Sequence, residues 1–284
     1  MEPFFEIGSI KLYKGDAYNF LKNYDGVKFD TVITDPPYGV GIKGLDGKMW
    51  DDGYPHRDFW ALLYEKVVDG GLLASFCSSR SIHRSAQAVE EAGWRIQEIL
   101  AWIRPYSIGQ KGRLKRGWEG IILASKGRPR DLNIDKARID GMGLPKWPRS
   151  DLPDNNRALN IRRGRPENRK NSRSPSSVVI ANEDAGLLGY YDRFFIVGRA
   201  KTKEKGEYNT HPSVKPLSLI EHLITLLNIE NGLVFDPFVG SGTTLVASLD
   251  LGFNCIGVEI EHDYCEIARK RLDENYSLLI RVDE

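Results

Sequence analysis

Asp35-Pro36-Pro37-Tyr38 follows the run Phe29-Asp30-Thr31-Val32-Ile33-Thr34, whose β-branched residues predict a buried strand stopping at a rigid turn. Pro36 drives Asp35 out of the helical region, and the two prolines fix φ at successive positions while contributing no N–H. The Asp35 carboxylate and a backbone carbonyl are left facing outward as acceptors. Two convergent acceptors match an exocyclic NH₂ group, which offers two donors, and the flat Tyr38 ring gives an extruded base a face to stack on. On its own the tetrapeptide is equally consistent with a plain surface turn.

A second stretch, Asp236-Pro237-Phe238-Val239-Gly240-Ser241-Gly242-Thr243-Thr244, lies between a predicted strand and a predicted helix. An open α/β sheet places its ligand loop there, beyond the carboxyl ends of the strands. Gly240 and Gly242 let the backbone approach a ligand closely, and a helix starting near Thr243 offers unpaired N–H groups. Glu259 ends the next strand, 23 residues beyond Asp236. That offset is close to the ~20 residues at which an acid accepts hydrogen bonds from ribose hydroxyls. The third glycine of a dinucleotide fingerprint is missing, and Asp236 would repel a pyrophosphate. It would attract the ammonium or sulfonium of S-adenosylmethionine, which carries a ribose and no phosphate. A Gly-rich turn without a ligand remains the alternative at this point.

Both stretches need one platform. The pattern predicts a strand at Ile10 to Tyr13, a helix capped by Asp16 and running to Tyr24, and the strand at Phe29 to Thr34. Phe59, Leu62, Leu63 and Val67 then recur at helical spacing up to Gly70-Gly71, with a strand from Leu72 to Cys77. Ile82, Ala86 and Val89 mark a helix stopped near Gly93, followed by strands around Ile96 to Ile103 and Gly120 to Ala124. Past the middle come a strand at Tyr190 to Val197 and a helix led by Pro216, with Leu217, Ile220, Ile224 and Leu227 on one face. Strand (Leu233 to Phe235), helix (Thr243 to Leu251), strand (Cys255 to Val258) and helix (Asp263 to Leu272) complete the chain. This alternation implies an α/β fold, a mostly parallel sheet with helices on both faces. The 284 residues suffice for one such domain with an insert, or for two small domains.

The net charge of +1 hides a split. Arg104 to Arg173 holds nineteen Lys/Arg against seven Asp/Glu, a net of +12, and the remainder nets −11. Periodicity fails from Ser125 to about Ser177, a turn-rich basic stretch. A segment so charged suggests a polyanion partner, although a solvated Arg-rich loop has the same composition. The three cysteines, Cys77, Cys255 and Cys265, show no metal or disulfide spacing, and no metal is expected. With no basic leader and no apolar run near ~20 residues, the chain reads as a soluble cytoplasmic protein with no membrane partner.

The order of Asp35-Pro-Pro-Tyr38, the basic middle and Asp236-Pro-Phe-Val-Gly-Ser-Gly-Thr-Thr244 resembles the amino-methylating DNA methyltransferases of the β arrangement. His211-Pro-Ser-Val-Lys-Pro216, before an amphipathic helix, is similar to that family's segment ahead of the cofactor loop. The resemblance spans roughly Gly15 to Lys270. It implies a Rossmann-like S-adenosylmethionine-dependent methyltransferase sheet with an irregular basic target-recognition insert. Residues 1–124 would form the catalytic half, 125–189 the insert and 190–284 the cofactor half. It further implies methyl transfer to the exocyclic N6 of an adenine flipped from double-stranded DNA, with Asp35, Pro36 and Tyr38 catalytic. Asp236, Phe238, Gly240, Gly242, Thr243 and Glu259, with His211 and Lys215, would hold the cofactor. Asp16 is either a cofactor-contacting acid or only a helix cap. Lys111, Arg113, Lys115, Arg116, Arg128, Arg130, Arg162, Arg163 and Arg165 are the candidate DNA contacts, interleaved with Trp118 and Trp147. About half of the charges in this region are expected only to solvate a loop. The source implied is prokaryotic, archaeal or phage-encoded.

Gly39 to Gly53 reads as a lid over the flipped base, with Trp50 and Tyr54 as anchors. Cytosine N4 is the nearest rival target, because both amines present two donors. A methyltransferase of RNA or of a protein amide, or a catalytically silent DNA-binding protein, are further alternatives. The sequence leaves open whether the protein is a homodimer and whether a separate cognate restriction endonuclease accompanies it.

Overall fold

The structure is a computed structural model that describes residues 1–39, 53–103, 117–133, 136–137, 194–196, 200 and 206–282. Among these, the β-branched runs form one mixed sheet. Its strands are β1 (Phe5–Ile7), β2 (Ile10–Lys14), β3 (Phe29–Thr34), β4 (Val67–Ser78), β5 (Arg95–Ile103), β6 (Trp118–Ser125), β7 (Phe194–Ile196), β8 (Leu233–Asp236) and β9 (Asn254–Glu259). In space they run β1-β2-β9-β8-β3-β4-β6-β5-β7. β1 and β6 oppose the direction shared by the other seven.

Six helices accompany the sheet among the described residues: α1 (Ala17–Asn23), α2 (Arg57–Lys66), α3 (Ile82–Glu91), α4 (Leu217–Leu227), α5 (Thr243–Asp250) and α6 (His262–Val282). The period of two along each strand assigns them to opposite faces. Val32, Leu73 and Ile122 pack with Leu21, Trp60 and Val89 of α1, α2 and α3. Ile33, Ala74 and Ile121 pack with Leu223, Leu245 and Ala268 of α4, α5 and α6. The predicted mostly parallel sheet with helices on both faces is what forms. Phe29 and Phe235 bind β3 to β8 through stacked rings 4.0 Å apart. Trp60, 1% exposed, donates its indole N–H to the Pro55 carbonyl, so its large apolar surface is buried with its polar atom satisfied.

Two boundaries differ from the sequence reading. The helix does not reach Gly70-Gly71; α2 stops at Lys66, and β-branched Val67 and Val68 already belong to β4. Gly70 instead turns within the strand at φ +78°. The β3–β4 register shifts there, from Phe29 opposite Val67 to Thr31 opposite Leu72. The last helix, α6, runs on to Val282 rather than ending at Leu272.

The chain moves from β3 outward to β4 and, later, from β8 outward to β9 on the other side. β3 and β8 are therefore adjacent parallel strands at a topological switch point, with Val32 opposite Phe235. A crevice opens beyond their carboxyl ends, where open α/β sheets bind ligands. Because β6 is antiparallel, its first residues reach the same edge, Glu119 lying opposite Ser78.

Candidate active site

Asp35 leaves β3 and Asp236 ends β8, so the two nominated motifs meet across the switch point. A cavity of about 340 Å³ lies between them, lined by Asp35 and Pro37 on one side and by Asp236, Phe238 and Glu259 on the other. Every nominated cofactor residue except Gly242 lines it.

Asp236 is 3% exposed. Its carboxylate accepts the Thr244 hydroxyl at 2.6 Å and the Phe238 N–H at 3.1 Å, which folds the loop back onto the strand end. Burial pushes its pKa up to about 6, against those hydrogen bonds. Glu259 is 8% exposed and bridges the loop: one oxygen accepts the Gly240 N–H at 2.9 Å, the other the Glu261 N–H at 2.8 Å. Burial pushes it up to about 7, again opposed by backbone donors. Among the described residues neither carboxylate has a cationic partner in an ion pair.

The two glycines serve different ends. Gly240, at φ +53°, presents its N–H to Glu259, and a Cβ there would lie 2.8 Å from His211 Nε2. Gly242, at φ +86°, is the N-cap of α5, and a Cβ would meet the Ala268 Cβ at 2.8 Å. Gly242 is absent from the cavity lining, and its missing side chain lets α6 pack against the loop. Arg271, buried in α6, donates to the Ser241 carbonyl at 2.8 Å and the Thr243 hydroxyl at 3.0 Å, tying the same loop down.

Asp16 is the N-cap of α1 and stands at the cavity wall. Its carboxylate accepts the Asn19 N–H at 2.9 Å. His211 stands edge-on to Tyr264, ring centroids 4.5 Å apart, and its Nδ1 accepts the Ser213 N–H at 3.3 Å. Burial lowers its pKa to about 4, so the ring is neutral near pH 7.

Lys215 lies beside Asp35 rather than only at the cofactor end: its ammonium donates to Asp35 Oδ2. The Tyr38 hydroxyl donates to Asp35 Oδ1, and burial raises the Tyr38 pKa well above its ordinary value. Pro36 is buried in the turn. Glu119, which the sequence reading passed over, completes this group at the head of β6, 3.8 Å from the Lys215 ammonium. Its signal was an acid entering the apolar run Gly120 to Ala124. Arg271 had a similar signal, a base among Ile267, Ala268 and Leu272 on the buried face of α6.

The DNA candidates divide. Lys111, Arg113, Lys115, Arg116, Arg162, Arg163 and Arg165 lie outside the described residues, as do Trp50, Trp147 and most of the segment between Gly39 and Gly53. Tyr54 packs against Gly39, consistent with an anchor. Arg130 is corrected: with Arg128 it follows Ser125, which pairs with Leu72, in the part of β4 away from Ser78 and the cavity. Arg130 is committed internally, its guanidinium donating to the Thr31 hydroxyl at 2.6 Å and the Leu227 carbonyl at 2.8 Å.

A family model described as DNA methylase, of the N6/N4 methyltransferases, matches residues 29–270. The type II methyltransferase M2.DpnII of Streptococcus pneumoniae is 48% identical over 96% of this chain and 92% of its own. Among solved structures, the M1.HpyAVI–SAM complex has a TM-score of 0.58 at 24% identity, covering 93% of this chain and 99% of that one. The cytosine-N4-specific PvuII DNA methyltransferase reaches 0.64 at 16% identity, covering 99% and 94%. These two show the shared fold. With the Asp35 turn and the Gly-containing loop facing each other across one crevice and the family model spanning both, the chain belongs to the N6/N4 DNA methylase family.

Proposed function

We propose that the protein transfers the methyl group of S-adenosylmethionine to the exocyclic N6 of an adenine extruded from double-stranded DNA. The observation that carries this reading is the placement of Asp35 across the cavity from Asp236 and Glu259. The cofactor fits its side of the cavity: two buried carboxylates without a cationic partner suit a cationic ligand, and Glu259 suits a ribose diol. Bound there, S-adenosylmethionine supplies an electrophilic methyl on a sulfonium.

The chain's own residues do the rest. Asp35 accepts one N–H of the target amine and the Pro36 carbonyl the other, drawing the nitrogen lone pair out of ring conjugation toward the methyl. Formation of the N–C bond would break the methyl–sulfur bond, its electron pair staying on sulfur, and Asp35 is placed to take the released N–H proton. Tyr38 provides the stacking face. Catalysis of this type is mostly positioning and hydrogen-bond stabilisation. In this reading residues 1–124 and 190–284 form the two halves of the methyltransferase and residues 125–189 recognise the target. Lys111, Arg113, Lys115, Arg116, Arg162, Arg163 and Arg165 hold phosphates or read bases.

The second reading is cytosine N4, favoured by the fold shared with the cytosine-N4-specific PvuII enzyme. Incubation with labelled S-adenosylmethionine and unmethylated duplex DNA, followed by nucleoside mass spectrometry, tests both. N6-methyladenine is expected, N4-methylcytosine selects the second reading, and methylation of RNA or protein alone refutes both. A homodimer and a separately acting endonuclease of the same specificity are compatible with this activity.

A further inference from the structure

The proposed amine acceptor is already engaged. Asp35 takes a donor on each carboxylate oxygen, the Tyr38 hydroxyl on one and the Lys215 ammonium on the other. A target amine must compete with both, and one of them is a cation. Lys215 cannot simply withdraw into solvent. It is 5% exposed and boxed by the rings of Phe76, Trp102 and Tyr38, whose centroids lie 5.2, 5.8 and 5.9 Å from its ammonium. A buried ammonium needs an anion at every stage of the cycle.

Among the described residues a second anion is within reach of both donors. Glu119 Oε2 lies 3.8 Å from the Lys215 ammonium and 3.4 Å from the Tyr38 hydroxyl oxygen. A shift on the order of 1 Å turns either approach into a full hydrogen bond. The antiparallel course of β6 is what puts an acid here, since a parallel strand would begin at the opposite edge of the sheet. Glu119 is held by its register, opposite Ser78 of β4 on one side and Trp102 of β5 on the other.

We infer that Glu119 is a positioning residue for methyl transfer, the acceptor to which Tyr38 and Lys215 turn when the target amine takes Asp35. This deepens the proposed function and rests on its assignment of Asp35. A mere counter-ion for Lys215 would need to reach only the ammonium; Glu119 reaches both groups that occupy Asp35. With Glu119 removed, Lys215 has Asp35 as its remaining carboxylate partner within ion-pair distance among the described residues, and the acceptor stays blocked.

The test is single-turnover methylation of duplex DNA by wild type, Glu119→Gln and Glu119→Asp, with Michaelis constants for S-adenosylmethionine and DNA and a thermal melt of each protein. The Gln variant keeps the shape and loses the charge. Its methyl-transfer rate is expected to fall about 10- to 100-fold while both Michaelis constants stay within about threefold of wild type. The Asp variant, charged but one methylene shorter, is expected to recover at least about threefold of that loss. If the Gln variant does not fold, the Asp variant alone must be slower than wild type at unchanged Michaelis constants. A Gln variant within threefold of the wild-type rate, a loss expressed as weakened cofactor or DNA binding, or an Asp variant as slow as the Gln variant overturns the inference. A wild type that methylates no duplex DNA refutes the proposed function itself, before any variant is compared.

Discussion

Replacing Glu259 by Gln tests the cofactor site with little change of shape. Each carboxylate oxygen accepts one backbone N–H, from Gly240 at 2.9 Å and Glu261 at 2.8 Å. An amide has one acceptor, so one N–H then faces an NH₂ group, a cost of about 1–3 kcal/mol. Against this stands relief of a buried charge. The folded-state pKa, up to about 7 from 4.5, exceeds the ordinary value, so the contribution of Glu259 to apo stability is present below 4.5 and lost as pH rises through 7. At pH 8 the ionised side chain costs the apo fold about 3 kcal/mol, which the variant does not incur. The two effects nearly cancel, and the apo melting temperature should move by only a few degrees. Binding has no such offset. Losing one charge-assisted acceptor for a ribose hydroxyl costs about 1.5–3 kcal/mol, or about 10- to 150-fold in affinity. Calorimetric titration with S-adenosylmethionine at pH 8 measures it. The pH dependence gives a second readout. Wild-type affinity should fall as pH drops through about 7, where Glu259 takes up a proton, while the variant should show only the later loss near 6, where Asp236 protonates. Wild-type affinity in a folded variant, or an unchanged inflection near 7, would refute the role assigned to Glu259.

Asp35→Ala should lower the methyl-transfer rate by about 10²- to 10⁴-fold with cofactor affinity retained; near-normal methylation of duplex DNA would sink the catalytic assignment. Gly242→Ala combines a positive φ with a Cβ 2.8 Å from Ala268 and should destabilise the fold by about 1–3 kcal/mol, measured by urea unfolding. Arg130→Met should cost about 1–3 kcal/mol of stability by leaving the buried Thr31 hydroxyl and Leu227 carbonyl without that donor. Its effect on DNA affinity should be nil, and a large loss of affinity in a folded variant would restore Arg130 as a DNA contact. Wild-type affinity for duplex DNA should fall steeply with rising salt, as phosphate contacts require, and a flat salt dependence would remove the basic segment from the interface.

Much of the platform was legible because its signals are local. The β-branched run before Asp35, the Pro216-led helix and the cap at Asp16 each depend on residues within a turn or two, and each forms as expected. Gly70-Gly71 misled because a glycine pair is an ordinary helix stop, whereas the β-branched Val67 and Val68 had already taken the chain into β4. Arg130 misled for another reason. Composition counts charge without saying which edge of the sheet carries it, and the antiparallel course of β6 sends its end away from the cavity.

The sequence by itself determined the chemistry available. Two prolines after Asp35 dictate the backbone of the turn, and an acid at each of two strand ends around a Gly-containing loop favours a cationic, ribose-bearing ligand over a pyrophosphate. These are consequences of covalent structure and allowed φ, and hold wherever the chain goes. The tertiary structure alone decided which groups share a site. Lys215 meets Asp35 across 180 residues, and Glu119 joins them only because β6 is inserted antiparallel between β4 and β5. Strand periodicity shows which side chains share a face, but neighbours are set by the order of strands, a property of the whole sheet that no local spacing encodes.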